Sequence, residues 1–258
     1  MVRSVIVTGS TSGIGLGIAK VFAKNGDQVV LNGIESESDV QPLIEELSTL
    51  SGQKVVYSGA DLSRVQGCHD LVDTCLEAFG AVDVVVNNAG IQHKALVENF
   101  PEDRWRKVIQ LNLEAAFFIA QKALPYMYEK KWGRLIHISS AHGLVASVEK
   151  AAYVAAKHGL LGLSKVMALE AAGRGVTSNC ICPGWVLTPL VQKQIEGIAE
   201  REGCDLNEAK HKLLVEKQPS KEFATPEEIG AATFFLASQE AAQITGAHLA
   251  VDGGWTAQ

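Results

Sequence analysis

Residues 151–159 read AAYVAAKHG, a run of small residues that carries a phenol at Tyr153 and an ammonium at Lys157. On a helix, positions four apart are surface neighbours, so both side chains can serve one site. A tyrosine with its ordinary pKa of about 10 is a poor base at neutral pH. A cation beside it favours the phenolate and draws that pKa toward the range where the oxygen can take an alcohol's proton. The same spacing also suits a plain amphipathic helix, with Tyr153 half buried and Lys157 reaching along its stem to water. The pair alone does not separate these readings; the rest of the chain does.

The elements that would position such a pair are legible. Seven apolar runs, SVIVTG, DQVVLNG, KVVYSGAD, VDVVVNNAG, GRLIHISSA, GVTSNCICPG and HLAVDGG, alternate with longer amphipathic stretches. Nearly continuous apolar runs suit parallel strands covered on both faces. Helical periodicity falls near 13–25, 36–51, 64–79, 101–130, 151–172 and 226–237. This alternation predicts one α/β domain over residues 1–258, a doubly wound parallel seven-stranded sheet with helices on both faces. From Leu190 to Lys217 two charged helical stretches replace a tight connection, so residues 188–218 read as a helical substrate lid.

Composition narrows the class. A chain of 258 residues, 47% hydrophobic and 20% charged, can bury one large core, and a net charge of -6 disfavours nucleic acid or an anionic membrane as partner. No apolar run approaches the ~20 residues of a membrane helix. The start, MVRSVIVTGS, is already strand and turn, which leaves no room for a signal peptide and predicts a cytoplasmic protein. Cysteines 68, 75, 180, 182 and 204 are odd in number; Cys180 and Cys182 alternate within a strand and read as buried apolar thiols. Seven histidines form no recognisable ligand motif, so no catalytic metal is expected.

TGSTSGIG, residues 8–15, follows the first strand and opens the first helix. Gly9, Gly13 and Gly15 allow a tight turn, close approach to a pyrophosphate and packing of the helix on the sheet, while the helix N-terminus offers free N–H groups. The spacing is GxxxGxG. The second strand ends VVLNGIESE, with Asn32 and Gly33 where a ribose-binding carboxylate is often found and none before Glu35. No basic residue stands there to hold a 2′-phosphate, which tilts the expectation to NAD. Asp61, in GADLS, either meets the adenine amino group or caps the following helix.

TGSTSGIG, NNAG at 87–90, Asn112 in LNL, Ser140, Tyr153-x-x-x-Lys157 and PG at 183–184 together resemble the short-chain dehydrogenase/reductase family over essentially the whole chain. The resemblance implies a Rossmann-type fold and a nicotinamide cofactor. It implies that Tyr153 exchanges the hydroxyl proton, that Lys157 also bonds the nicotinamide ribose, that Ser140 orients the substrate oxygen, and that Asn112 holds a water linking Lys157 to solvent. Cofactor contacts are expected from Gly9, Thr11, Ser12, Gly13, Ile14, Gly33, Asp61, Leu62, Asn88, Ala89, Gly90, Tyr153, Lys157, Pro183, Gly184, Val186 and Thr188.

The pocket should gather residues from the ends of strands four to six: Gln92, His142, Lys150 and Gln194 as hydrogen-bond donors, with Trp185 beyond the PG turn. Converging donors with one cation suit a small carboxylate. Each residue also has an ordinary surface or capping reading. NAGIQH, ISSAHGLVAS, AAYVAAKHGLLG, EKQPS and VDGGWTA are similar to the D-3-hydroxybutyrate dehydrogenases of bacteria within that family. This implies NAD-dependent oxidation of (R)-3-hydroxybutyrate to acetoacetate. Gln92, His142, Lys150 and Gln194 would hold the carboxylate beside Ser140 and Tyr153, and Trp185 and Trp255 would line the methyl side. Alternatives are a 3-oxoacyl-carrier-protein reductase, another NADP-dependent secondary alcohol dehydrogenase, or a non-catalytic nucleotide sensor. The family habit is a homotetramer with the helices near 101–130 and 151–172 in its interfaces.

Overall fold

The computed structural model describes residues 2–258. Seven parallel strands form one sheet: β1 (Ser4–Val7), β2 (Gln28–Asn32), β3 (Val55–Ser58), β4 (Val84–Asn87), β5 (Gly133–Ile138), β6 (Val176–Pro183) and β7 (His248–Val251), in the order β3-β2-β1-β4-β5-β6-β7. The doubly wound sheet read from the sequence is therefore present. Val5 on β1 pairs with Val29 of β2 on one side and Val84 of β4 on the other. The winding reverses between β1 and β4, so the loops leaving these two strands diverge and open a crevice at their carboxyl ends.

The alternation of side chains sorts the core into two layers. Val5, Val7, Val86, Ile136 and Ile138 face Ile18 and Phe22 of α1 (Gly13–Lys24) and Ile229 and Leu236 of the last helix. α2 (Glu37–Ser51) closes the same face through Val40 and Leu47. Ile6, Val85 and Leu135 face the opposite layer, formed by α3 (Val65–Phe79) with Leu71, α5 (Ala115–Lys130) with Ile119 and Met127, and α6 (Ala151–Ala171) with Met167. α1 lies so close to the last helix that a Cβ at Gly17 would sit 2.6 Å from the Pro226 carbonyl carbon. The cysteines are free, and Cys180 and Cys182 are buried as expected. No helix among the described residues is long and apolar enough to cross a membrane.

Two segments refine the expected pattern. The stretch 101–130 is interrupted: α4 (Glu102–Ile109) passes through one π turn, Gln110–Glu114, before α5. Asn112 in that turn is buried and bonds backbone on a neighbouring loop, and a π turn is a common way to aim one side chain out of a helix's regular spacing. The lid forms two helices, α7 (Pro189–Glu202) and α8 (Leu206–Val215), before α9 (Pro226–Leu236). Thr188 caps α7 by accepting from the Val191 N–H, and Asp205 caps α8 by accepting from Asn207 and Glu208. The lid has its own small core of Val191, Ile195 and Ala209, against which Trp185, Ile198 and Leu213 pack.

His137 lies fully buried in β5, bonded at Nδ1 to the Asn87 amide (3.1 Å) and at Nε2 to the Ser178 hydroxyl (3.2 Å). Burial, reinforced by the Lys157 charge, holds its pKa down to about 4. The unfolded chain takes a proton near pH 6.5, so stability drops as pH falls from about 6.5 to about 4 and levels below that. His142 is shifted to the same range and adds a like contribution. His137→Asn should flatten the acid limb by up to about 1.4 kcal/mol per pH unit, read by urea unfolding between about pH 7 and about pH 5. Equal slopes in the two proteins contradict this account.

Candidate active site

α6 begins at the mouth of the crevice, and its first two turns carry Tyr153 and Lys157. Lys157 is 4% exposed; its Nζ donates to the Ile138 carbonyl at 2.7 Å, and its own carbonyl accepts from the Ser139 hydroxyl at 3.0 Å. These bonds lock the helix to the end of β5. The ammonium lies over the Tyr153 ring, 5.6 Å from its centroid. Burial pulls the Lys157 pKa down to about 8, opposed by Cys180 and Cys182. Burial also raises Tyr153, with a hydrogen bond from Ser140 in the opposite direction. Burial therefore works against the lowering expected from the neighbouring Lys157. The cation sits over the ring face and is engaged by a carbonyl, so desolvation of the phenolate outweighs it.

Ser140 accepts from the His142 backbone N–H at 3.1 Å and so starts a short 3₁₀ turn, Ala141–Gly143. That turn aims the His142 ring into the site, edge-on to Trp255 at 5.1 Å and to Tyr153 at 6.1 Å between centroids. Its Nε2 meets the Ser147 hydroxyl at 2.9 Å. Burial first, then the charges of Lys150 and Lys217, lower its pKa to about 4, so the ring is neutral at neutral pH.

Asn112 accepts from the Ile91 N–H at 2.8 Å and donates to the Ile91 carbonyl at 2.9 Å. Both ends of its amide are therefore committed to the loop after β4. Between Asn112 and Lys157 lies a cavity of about 10 Å³, also lined by Asn87, Thr8, Leu62 and Leu160. That is room for about one water, and the buried Asn87 Oδ1 has no partner among the described residues.

The glycine turn fits a dinucleotide. Gly9 and Gly13 adopt φ of 59° and 54°, which other residues rarely take, and Ser12 starts α1 without spending its hydroxyl on a cap. The first-turn N–H groups, among them those of Gly13 and Ile14, and the Ser12 hydroxyl thus form a donor set suited to a diphosphate. Asn88 supports this turn from behind: its side-chain amide donates to the carbonyls of Thr8 (2.8 Å) and Gly9 (3.0 Å), while the Asn88 and Ala89 N–H groups donate to the Thr8 hydroxyl. Across the crevice, the Thr188 methyl would stand 3.5 Å from a Cβ at Gly13, and Pro183, Gly184 and Val186 lead to it from β6. Gly90 lies against Asn112, whose Oδ1 would be 3.0 Å from a Cβ there.

At the adenosine end, Asn32 is buried and structural. It accepts from the Gly9 N–H and donates to the carbonyls of Ser58 and Ala60. Asp61 accepts from the Ser63 N–H (3.0 Å) and hydroxyl (2.7 Å), which lowers its pKa; it closes a turn ahead of α3 and is exposed. The first carboxylate past the end of β2 is Glu35. It folds back to accept from Thr11 Oγ1 at 3.0 Å and the Ile34 N–H at 3.0 Å, beside Gly33. Counting from the strand end placed the acid two residues too late, but a longer side chain from Glu35 covers that distance.

A cavity of about 860 Å³ opens between the lid and α6. Lys150, Trp185, Gln194 and Trp255 line it, and the two indoles stack at 6.2 Å and 26°. The buried Trp185 Nε1 has no hydrogen-bond partner among the described residues, so this wall is not purely apolar. Burial, then the charges of Lys94 and Lys217, lower Lys150 to about 8. Gln92 is exposed and lies outside this lining, whereas Lys94, two residues on, is part of it. Gln218, also not foreseen, is buried at the lid base, where it accepts from the Trp185 N–H at 2.8 Å and donates to the Glu222 carbonyl.

The family profile described as "Enoyl-(Acyl carrier protein) reductase" matches residues 9–256. The chain is 51% identical over 256 residues to D-beta-hydroxybutyrate dehydrogenase of Cupriavidus necator, covering 99% of this chain and 98% of that one. It is 45% identical over 258 residues to the enzyme of the same name from Rhizobium meliloti, covering 100% of both. The crystal structure of L-sorbose reductase from Gluconobacter frateurii, complexed with NADPH and L-sorbose, superposes with a TM-score of 0.95 at 30% identity, covering 100% of this chain and 98% of that one. With the phenol–ammonium pair, the glycine turn and the parallel sheet in place, this chain belongs to the short-chain dehydrogenase/reductase family.

Proposed function

We propose that the protein interconverts (R)-3-hydroxybutyrate and acetoacetate with NAD. The observation that carries this reading is the ring of groups beside Tyr153: Lys150 and Gln194 line the same cavity as the stacked Trp185 and Trp255, with the neutral His142 ring edge-on to Trp255. Two relatives named for that substrate, each aligned over the full chain, support it. The Lys150 ammonium beside the neutral Gln194 and His142 suits a single carboxylate, and an aromatic wall suits a methyl group. Gln92 would join the grip from the loop after β4.

When bound, the oxidised dinucleotide supplies the hydride acceptor and a positive charge beside the phenol. Tyr153 takes the proton from the C3 hydroxyl, Ser140 holds the same oxygen, and Lys157 supports the phenolate that starts the step. A water in the cavity between Lys157, Asn87 and Asn112 returns protons to solvent. Lys150, His142 and Gln194 fix the carboxylate, so C3 is presented in one orientation. Closure of α7 and α8 removes water from the reacting atoms.

Glu35 supports NAD over NADP. Its carboxylate stands by Gly33 and Thr11, where it would accept from the adenosine ribose hydroxyls and repel a 2′-phosphate. Exposed Phe117 on α5 and Val166 and Leu169 on α6 (41, 51 and 79% accessible) support a homotetramer built through those helices.

Purified protein with (R)- or (S)-3-hydroxybutyrate and NAD or NADP, followed by reduced-nicotinamide absorbance, tests the whole reading. Turnover should concentrate in the (R) acid with NAD; silence with both acids but turnover of acyl thioesters with NADPH would replace it by a carrier-protein reductase. Glu35→Ala should reduce the NAD-over-NADP preference in kcat/KM by about tenfold, the loss of one charge-assisted hydrogen bond. An unchanged preference removes Glu35 from cofactor choice. Lys150→Ala should raise KM for the acid about ten- to hundredfold with nucleotide Kd unchanged. In the parent protein KM should climb above about pH 8, as Lys150 loses its proton, and the variant should lose that climb. A KM unmoved by the substitution contradicts the carboxylate grip.

A further inference from the structure

The cavity carries more charge than the residues assigned to the substrate. Lys94, Arg201 and Lys217 line it together with Lys150, against Glu149 and Glu216, and Lys94 and Arg201 are exposed. Four cations to two carboxylates is a local reversal in a chain whose net charge is -6. Arg201 is paired with Glu202 at 3.0 Å and so is partly neutralised. Lys217 meets Glu216 at 3.1 Å, with the Glu216 side chain 71% exposed, a pairing of the kind that contributes little in water. Lys94, like Lys150, forms no ion pair among the described residues.

Neither Lys94 nor Lys217 hangs from loose chain. The Lys94 segment is bridged to the start of α6: Ala95 pairs with Lys150, and the Ala95 N–H donates to the Glu149 carbonyl at 3.0 Å. Lys217 directly precedes the buried Gln218, which is bonded to the Trp185 backbone. Both backbones are therefore fixed to walls of the same cavity, one on the catalytic side and one at the lid base. Their charges also reach inward, since both depress the Lys150 pKa.

We propose that Lys94 and Lys217 form an outer docking station for carboxylates at the mouth of the pocket, which captures an anionic substrate before Lys150, His142 and Gln194 receive it. The inference rests on the reading that the substrate is a small carboxylate. Clefts lined by one sign of charge concentrate opposite charge, and the effect falls with ionic strength. The station therefore acts on capture. Glu216, the present neighbour of Lys217, is displaced from it by the incoming anion.

The test compares the parent protein with Lys94→Gln, Lys217→Gln and the double variant. At low salt the double variant should raise KM for (R)-3-hydroxybutyrate about three- to tenfold, with kcat held within about twofold, a modest share of the range that steering can supply. The parent's KM should rise as sodium chloride increases from about 10 mM to about 500 mM, and the double variant should lose most of that dependence. The neutral methyl ester of the same acid should show no difference between the proteins. Equal KM values and equal salt slopes overturn the proposal. A readout free of catalysis is quenching of tryptophan fluorescence, because Trp185 and Trp255 line the same cavity. Iodide should quench the parent more than the double variant while acrylamide treats them alike; identical iodide quenching also overturns the station. If the parent fails to turn over the acid yet iodide distinguishes the proteins, the substrate assignment falls and the anion station stands.

Discussion

The site depends on a buried ammonium. Lys157 is enclosed between α6 and the end of β5, and a fall in its pKa from 10.5 to about 8 corresponds to a cost on the order of 3 kcal/mol at neutral pH. That cost applies in full below about pH 8 and disappears as pH rises through 10.5, where the unfolded chain also loses its proton. The fold offsets it with the Ile138 carbonyl and the Ser139–Lys157 link. The return is a cation whose position is set by main chain, beside the phenol and next to the water-sized cavity under Asn112.

Around that cation the polar groups are supported from behind. The Thr8 hydroxyl accepts from two N–H groups of the NNAG loop, Asn88 ties the same loop to the glycine turn, and Asn112 holds Ile91 at both ends. These bonds join the loops after β1 and β4 with the helix running into α5, so the two sides of the crevice are fixed relative to each other. The groups proposed to meet the substrate are held differently. His142 and Trp255 come from short 3₁₀ turns, and Gln194 comes from α7, in the segment proposed as a lid.

Much of this was legible in the sequence because it obeys local periodicity. Continuous β-branched runs gave the seven strands, and the Tyr153–Lys157 spacing survives as a shared helical face. What the sequence did not yield depends on reach and burial. Glu35 lies two residues beyond the expected position, yet its side chain folds back to Thr11. The π turn at Gln110–Glu114 is stabilised by a contact with Ile91, which is distant along the chain and leaves no mark in the helical pattern. Gln92 and Lys94 stand on one extended segment, and spacing could not tell which lines the cavity. Burial of Tyr153, which opposes the pull of a nearby cation, leaves no mark in the sequence, whereas the cation does.

The most direct test concerns that phenol. Tyrosinate absorbance of the parent protein minus that of Tyr153→Phe, titrated with and without NAD, isolates its ionisation. Without NAD the difference signal should stay absent until above about pH 10, because burial outweighs the cation. With NAD, whose nicotinamide brings a positive charge to the phenol, the signal should move toward neutral pH. A difference signal already near neutral pH without NAD would show that Lys157 alone sets the base, and would contradict this account.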